Sequence, residues 1–267
     1  MELITLTLWD LSLAALLIVA LAALSFQMQL GLSRSIFIAA LRTVVQLMLI
    51  GLVLKLLFNT THFGWVVLVA VVMLLAAGRE VMVRQQRRFA GVQSFALGTL
   101  SLFISTIVVT LLVLTVVISA EPWYSPQYAI PLLGMMFGNT MNGIALGLDR
   151  LTQTAWQQRD VVEARLMLGQ TPQQAISDIR RESIRSGMIP IINAMAVAGI
   201  VSLPGMMTGQ ILAGAAPMEA VNYQILIMFM VTAGTGFGTI FAVTMGARHL
   251  FDQRERLRLD RLQKAIV

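Results

Sequence analysis

The chain has 267 residues, of which 57% are hydrophobic and 12% charged, with a mean hydropathy of +0.81 and a formal net charge of +6. Soluble domains average about 45–50% apolar and about 25% charged residues, so this composition points to a protein dissolved in a bilayer. With no cysteine, disulfides, thiolate metal sites, iron–sulfur clusters and a cysteine nucleophile are excluded, and two histidines far apart, His62 and His249, argue against a histidine metal cage within one chain.

A helical crossing needs about 20 apolar residues. Apolar spans occur near residues 11–30, 35–58, 65–78, 95–119, 129–148, 187–213 and 223–247, the third being short unless it borrows flanking residues. The predicted fold is therefore all-α: a polytopic membrane protein of seven helices forming one membrane domain over 1–267. A long connection at 149–186 and a short basic tail at 248–267 complete it.

The first span follows Met1 to Asp10, which carries acids but no Lys or Arg, so it lacks the basic n-region of a cleaved signal and is expected to remain as a membrane helix. Assigning alternate loops to opposite sides gives one side Arg34, the arginines at 79–88, those at 150–185, and the basic tail. These are 17 of the 19 Lys and Arg; Arg42 and Lys55 lie inside the second span. The positive-inside rule then places the N-terminus outside and the C-terminus in the cytoplasm, and an even number of crossings would spoil the partition. Basic residues so distributed face a membrane surface and leave a nucleic-acid partner without support. Trp9, Trp65, Trp123, Tyr124, Tyr128 and Tyr223 fall at the outer ends of spans, where amphipathic rings prefer the headgroup zone.

In the second span Arg42 and Gln46 stand four residues apart on one stripe. A mid-bilayer charge costs roughly 2.5–3.5 kcal/mol on insertion scales, which favours a face turned into the bundle. That face is either a contact in a translocation path, a polar clamp to another helix, or an arginine snorkelling to the inner headgroups. The fifth span mixes Gly134, Gly138 and Gly143 with Asn139 and Asn142, which share a face and permit close packing and interhelical hydrogen bonds. The sixth span carries Pro190, Asn193 and the run Ser202-Leu203-Pro204-Gly205-Met206-Met207, so a kink or break is predicted near Pro204. Met206 and Met207 read either as soft metal ligands or as adaptable packing. No span has an Asp or Glu near its middle, and no HExxH or GxSxG occurs, which speaks against proton coupling and against enzymatic chemistry on this chain.

The connection at 149–186 is the most structured of the loops. A helix-favouring run from Leu151 ends at Gly169, a helix stop, and Thr171-Pro172 supplies an N-cap and first position for a second helix. Helix, glycine and capped helix predict a compact inner elbow suited to receive a partner protein, the plainer alternative being a solvated connector.

Glu163-Ala164 followed by Gly169 resembles the Glu-Ala-Ala…Gly coupling loop of ABC-transporter permeases, with Arg165 where the second alanine often stands. The longer string from Glu163 through Thr171, Pro172 and Ala175, then Arg185, Ile189-Pro190 and Val201 to Gly209, together with Arg42 to Leu47 and Gly138-Asn139, resembles the FetB-type iron-export permeases over most of the chain. The resemblance implies a permease subunit of the bacterial inner membrane, working with a separate FetA-type ATP-binding subunit; seven helices are few for such a device, so a homodimer with two ATPases is expected. It also implies ATP and Mg bound only on that partner, with no cofactor on this chain. Glu163, Ala164, Gly169, Thr171 and Pro172 would then couple to the ATPase, and Arg42, Gln46, Asn139, Asn142, Asn193, Pro204, Met206 and Met207 are the candidates for the path. Similar plant permeases are associated with aluminium tolerance and UDP-glucose, so a sugar nucleotide is the alternative cargo, and an ATP-independent channel or carrier the alternative mechanism. A phosphate cradle needs a glycine-rich loop ending in Gly-Lys, and neither lysine of the chain, Lys55 or Lys264, follows a glycine. An ATP-driven process therefore needs its motor on another polypeptide.

Overall fold

A computed structural model describes residues 7–58, 62–119 and 121–264. The described chain divides into two compact units, one built on 1–61 with 212–214, the other on 62–211 and 215–267.

The first unit is a helical hairpin, α1 (Leu8–Gln27) and α2 (Ser33–Phe58). Thr7 and Asp10 form a reciprocal capping box at the start of α1: the Thr7 N–H donates to the Asp10 carboxylate at 2.8 Å and the Asp10 N–H to Thr7 Oγ1 at 3.4 Å. Gln29 and Gly31 take positive φ to reverse the chain. Nearly every apolar side chain of the pair is exposed. Such faces are stable only where the surroundings are themselves apolar, as in lipid.

The second unit packs α3 (Phe63–Val83), α4 (Val92–Leu112), α5 (Pro126–Gln157), α8 (Ser177–Val197) and α10 (Pro217–His249) around a core that includes Val81, Leu102, Ile144, Leu148, Leu151 and Val243. Between α5 and α8 stand two short helices, α6 (Arg159–Met167) and α7 (Pro172–Ala175), and α9 (Gly205–Leu212) precedes α10. Helices α5, α8 and α10 approach through small residues. A Cβ on Gly187 would lie 2.5 Å from the Gly143 carbonyl oxygen and 2.7 Å from Thr239 Cγ2, so only hydrogen fits at this node. The small-residue packing expected of the fifth span is what the structure uses.

Among the described residues six helices are long and apolar enough to cross a membrane: α1, α2, α3, α5, α10, and α4 with the π-helical stretch Val113–Ile118 that continues it. The third reaches adequate length by taking in residues on both sides of 65–78. The span expected at 187–213 is not one helix. α8 stops at Val197, residues 198–204 form a non-helical turn with Gly199 at φ +81° and its N–H on the Ser202 carbonyl, and α9 restarts at Gly205. The interruption thus begins six residues before the predicted position. Pro204 disfavours helical backbone at Leu203 and Gly199 supplies the reversal, so both ends of the turn are specified locally.

The connection expected at 149–186 is shorter than its sequence suggested, because α5 absorbs residues through Gln157 and α8 begins at Ser177. The basic tail is folded as well. Strand β1 (Arg87–Phe89) pairs antiparallel with strand β2 (Leu262–Lys264) in the register Arg87 to Lys264 and Phe89 to Leu262. Arg261 anchors the turn by donating to the His249 and Phe251 carbonyls at 2.8 and 3.2 Å. Residues 265–267 lie outside the described ones.

Candidate coupling elbow and translocation path

The elbow is built from local rules. α6 ends in a Schellman motif: Gly169 sits at φ +85° and donates to the Leu166 carbonyl, and the Gln170 N–H returns to Arg165 at 3.1 Å. Thr171 then caps α7, its Oγ1 accepting from the Gln174 N–H at 3.4 Å while Gln174 Oε1 accepts from the Thr171 N–H at 3.0 Å, with Pro172 in the first turn. Val162, Pro172, Ala175 and Ile176 are buried and fix the pair against the bundle. Glu163, Ala164, Gly169 and Thr171 are exposed, and Met167 and Leu168 are each 83% exposed, leaving an apolar tip flanked by polar groups. Arg165 crosses the elbow from inside, donating to the Ala175 carbonyl at 3.1 Å and pairing with Asp178.

Arginines and carboxylates tie this basic end together. The Arg87 guanidinium stacks 4.0 Å above the Trp156 ring, the Arg87 carbonyl accepts from Thr152 Oγ1 at 2.8 Å, and the Asp149 carboxylate accepts from the Gln86 N–H and from Gln153. Asp252 accepts the backbone N–H groups of Arg256 and Arg254, each at 2.9 Å, and the Arg256 guanidinium at 2.8 and 3.0 Å. The Arg256 backbone N–H and guanidinium, with the Arg254 N–H, hold its carboxyl at about 2, below the ordinary carboxylate range.

The candidate path residues are dispersed. Arg42 and Gln46 are exposed on α2 of the first unit. In the second unit Asn142 accepts from the Arg84 guanidinium, which lies 3.7 Å from Glu80, so Asn142 belongs to a polar clamp between α5 and the end of α3. Asn139 donates to the Met135 carbonyl of its own helix at 2.8 Å, and Asn193 is exposed on α8. Pro204 is half-buried in the turn before α9, and Met207 is buried. Met206 lines a cavity of about 170 Å³ at the start of α5, with Gln127, Tyr128, Gln210 and Tyr223. Sequence reasoning assigned both tyrosines to the headgroup zone and did not nominate Gln127 or Gln210. Gln127 and Tyr128 at the start of α5 and Tyr223 near the start of α10 share their positions with ordinary interfacial anchors, and Gln210 lies near the C-terminal end of the short α9. Among the described residues no three of His, Cys, Asp and Glu cluster as a metal site would require.

The model of an uncharacterised protein family, UPF0014, matches residues 8–251. A UPF0014 membrane protein of Synechocystis is 40% identical over 89% of this chain and 91% of its own length. The probable iron export permease protein FetB of Escherichia coli is 31% identical over 96% of each chain, and protein ALUMINUM SENSITIVE 3 of Arabidopsis thaliana is 33% identical over 86% of this chain and 82% of its own. No solved structure matches. With its long apolar helices, the protein is a multi-pass, all-α protein of the inner membrane. It belongs to the UPF0014 family of membrane proteins.

Proposed function

We propose that the chain is the membrane-spanning subunit of an ATP-driven exporter of iron, powered by a separate FetA-type ATPase, with the whole chain acting as one permease domain. The observation that carries this reading is the likeness, over nearly the entire length, to the E. coli protein named as a probable iron export permease. The elbow supports it physically. Two capped short helices clasped by Arg165 form a stiff projection at the basic end, and the exposed Met167 and Leu168 beside Glu163 suit a protein partner better than water. The basic end is cytoplasmic by the positive-inside rule, which puts the elbow where ATP is.

Mechanistically, ATP-driven closure of two ATPase subunits pushes on Glu163, Ala164, Gly169, Thr171 and Pro172. The α7–α8 junction passes the displacement to α8, and the glycine contacts at Gly143 and Gly187 let α8 shift against α5 and α10 with little side-chain repacking. Two copies of the chain flank the path. ATP and Mg stay on the partner, and no cofactor is held by this chain.

The test is flux in vesicles containing the purified permease and its ATPase, comparing iron, a sugar nucleotide and copper. Iron movement that requires ATP and disappears with Gly169 and Glu163 both replaced is the expected result. Full flux without ATP makes the chain a channel or carrier instead.

A further inference from the structure

The side of α5 turned away from the core carries polar groups through the middle of the membrane. Tyr128, Pro131, Asn139, Asn142, Leu146 and Arg150 are exposed and spaced so that they share one stripe, while Gly143 and Ile144 on the other side are buried in the bundle. Of the six long apolar helices α5 is the least apolar. Its outer end, at Tyr128, suits the headgroup zone, and the Asp149 carboxylate, which holds the Gln86 N–H just beyond α3, marks the inner one. At about 1.5 Å per residue these two lie about 32 Å apart, close to the thickness of a hydrocarbon core, and Asn139 stands about 16 Å from the first and about 15 Å from the second.

Asn139 is thus at mid-membrane, and it is half satisfied. Its amide donates to the Met135 carbonyl at 2.8 Å, while its Oδ1 accepts nothing among the described residues. Arg84 gives a second, independent sign that lipid does not cover this stripe. It stands just past the inner end of α3, yet its guanidinium donates to Asn142, toward the bilayer centre, where an arginine beside lipid extends to the nearer headgroups. Glu80 completes the cluster, its carboxylate 3.7 Å from that guanidinium. Polar and ionic groups at such depth face protein or water.

The chemistry of the stripe selects what covers it. An amide both donates and accepts, so asparagine is its own partner, and a single asparagine on a helix seam fixes register and partner in paired helices. Helix α1 has only apolar side chains from Leu13 to Leu24, and α2 would bring Arg42 to a stripe that already holds Arg84. A second copy brings the missing group. Copies inserted in one orientation and related by a twofold axis along the membrane normal present equal residues at equal depth, so Asn139 meets Asn139 and each Arg84–Glu80 pair meets its opposite sign.

We propose that the exposed stripe of α5 is the face that two copies of this chain present to each other in the membrane, with the two Asn139 amides hydrogen-bonded across the axis. The part this face plays in transport rests on the export reading above; the association of the copies does not.

The chain has no cysteine, so single-cysteine variants of the full-length protein in native membranes give an unambiguous test. Asn139→Cys, and Leu146→Cys two turns further along the stripe, should each form a disulfide-linked dimer on mild oxidation, and Phe229→Cys, exposed on α10, should not. In liposomes, energy transfer between differently labelled chains should show association about three- to tenfold weaker for Asn139→Leu and unchanged for Asn139→Gln. Asn139→Asp and Asn139→Lys should each self-associate about tenfold more weakly or worse, and a mixture of the two should associate again, a rescue that only facing positions produce. Dimers through Phe229→Cys with none through the stripe, intramolecular linkage of Asn139→Cys to Gln46→Cys in place of dimers, or an Asp and Lys mixture no better than either alone would overturn the face. ATP-dependent iron flux from a protein whose stripe fails these tests sinks the face and leaves the export reading standing; stripe-linked dimers that move no iron do the reverse.

Discussion

Arg165 and Asp178 are thirteen residues apart in sequence, yet the guanidinium and carboxylate meet at 3.0 Å, closing the elbow across the Gly169 turn. Arg165 is also the residue that departs from the generic coupling-loop pattern, and the structure gives it work that alanine cannot do: joining α6 to the start of α8.

Replacing Arg165 with Ala should therefore loosen the elbow more than it destabilises the protein. Both partners are substantially exposed, so the ion pair contributes at most about 1 kcal/mol. Hydrogen exchange should show faster opening of residues 159–176 with the transmembrane helices unchanged, and ATPase stimulation by cargo should fall several-fold. Arg165→Lys, which cannot reach both acceptors as a fork, should fall between.

Loss of the cap at Thr171 should act on α7 alone. Thr171→Ala removes the acceptor for the Gln174 N–H and should cost about 1 kcal/mol locally, read as accelerated exchange at Gln174 and Ala175, whereas Thr171→Ser keeps the hydroxyl and should behave as the original.

The node of small residues predicts a sharp contrast between two glycines. Gly187→Ala would place a methyl 2.5 Å from a backbone oxygen, which must separate α8 from α5 at a cost of about 1–3 kcal/mol. Melting in detergent should drop by several degrees. Gly138→Ala, whose new methyl meets nothing within 4 Å, should melt at or slightly above the original temperature.

The turn at Asp252 has a definite pH dependence. Its carboxyl titrates at about 2 in the folded protein, below the unfolded value near 4, so its contribution is complete above about pH 4 and is lost as the pH falls through about 2. Neutral Asp252→Asn should reproduce the acid state at pH 7. Limited trypsin digestion at Arg254 and Arg256 should be slow for the original protein down to pH 6 and rapid for the variant.

Much of the fold was legible because the bilayer writes a strong signal: runs of about 20 apolar residues located all six long helices, and Thr171-Pro172 and Gly169 marked the elbow's stop and start. What escaped had weaker signals. Apolar character cannot say where a helix ends once flanking polar residues continue it, so α5 and α8 extended into the expected loop. Residues 187–213 look continuous in hydropathy, and only Gly199 and Pro204 hint at the turn. The short strand Leu262–Lys264 was read as part of a basic tail because its pairing partner lies in a distant loop, and pairings between remote segments leave no local periodicity. At the candidate site the residue types were visible but their meeting was not: Asn142 read as able to hydrogen-bond to another helix, and its partner Arg84, 58 residues earlier, could not be named from spacing.

The β1–β2 ladder sets a rule for assembly. Every described helix from α4 to α10 lies between its two strands, so closing it requires the intervening hydrophobic segments to be inserted and correctly threaded first. The three residue pairs, with Phe89 buried beside them, therefore join segments about 175 residues apart and tie the chain's last described residues to the loop before α4.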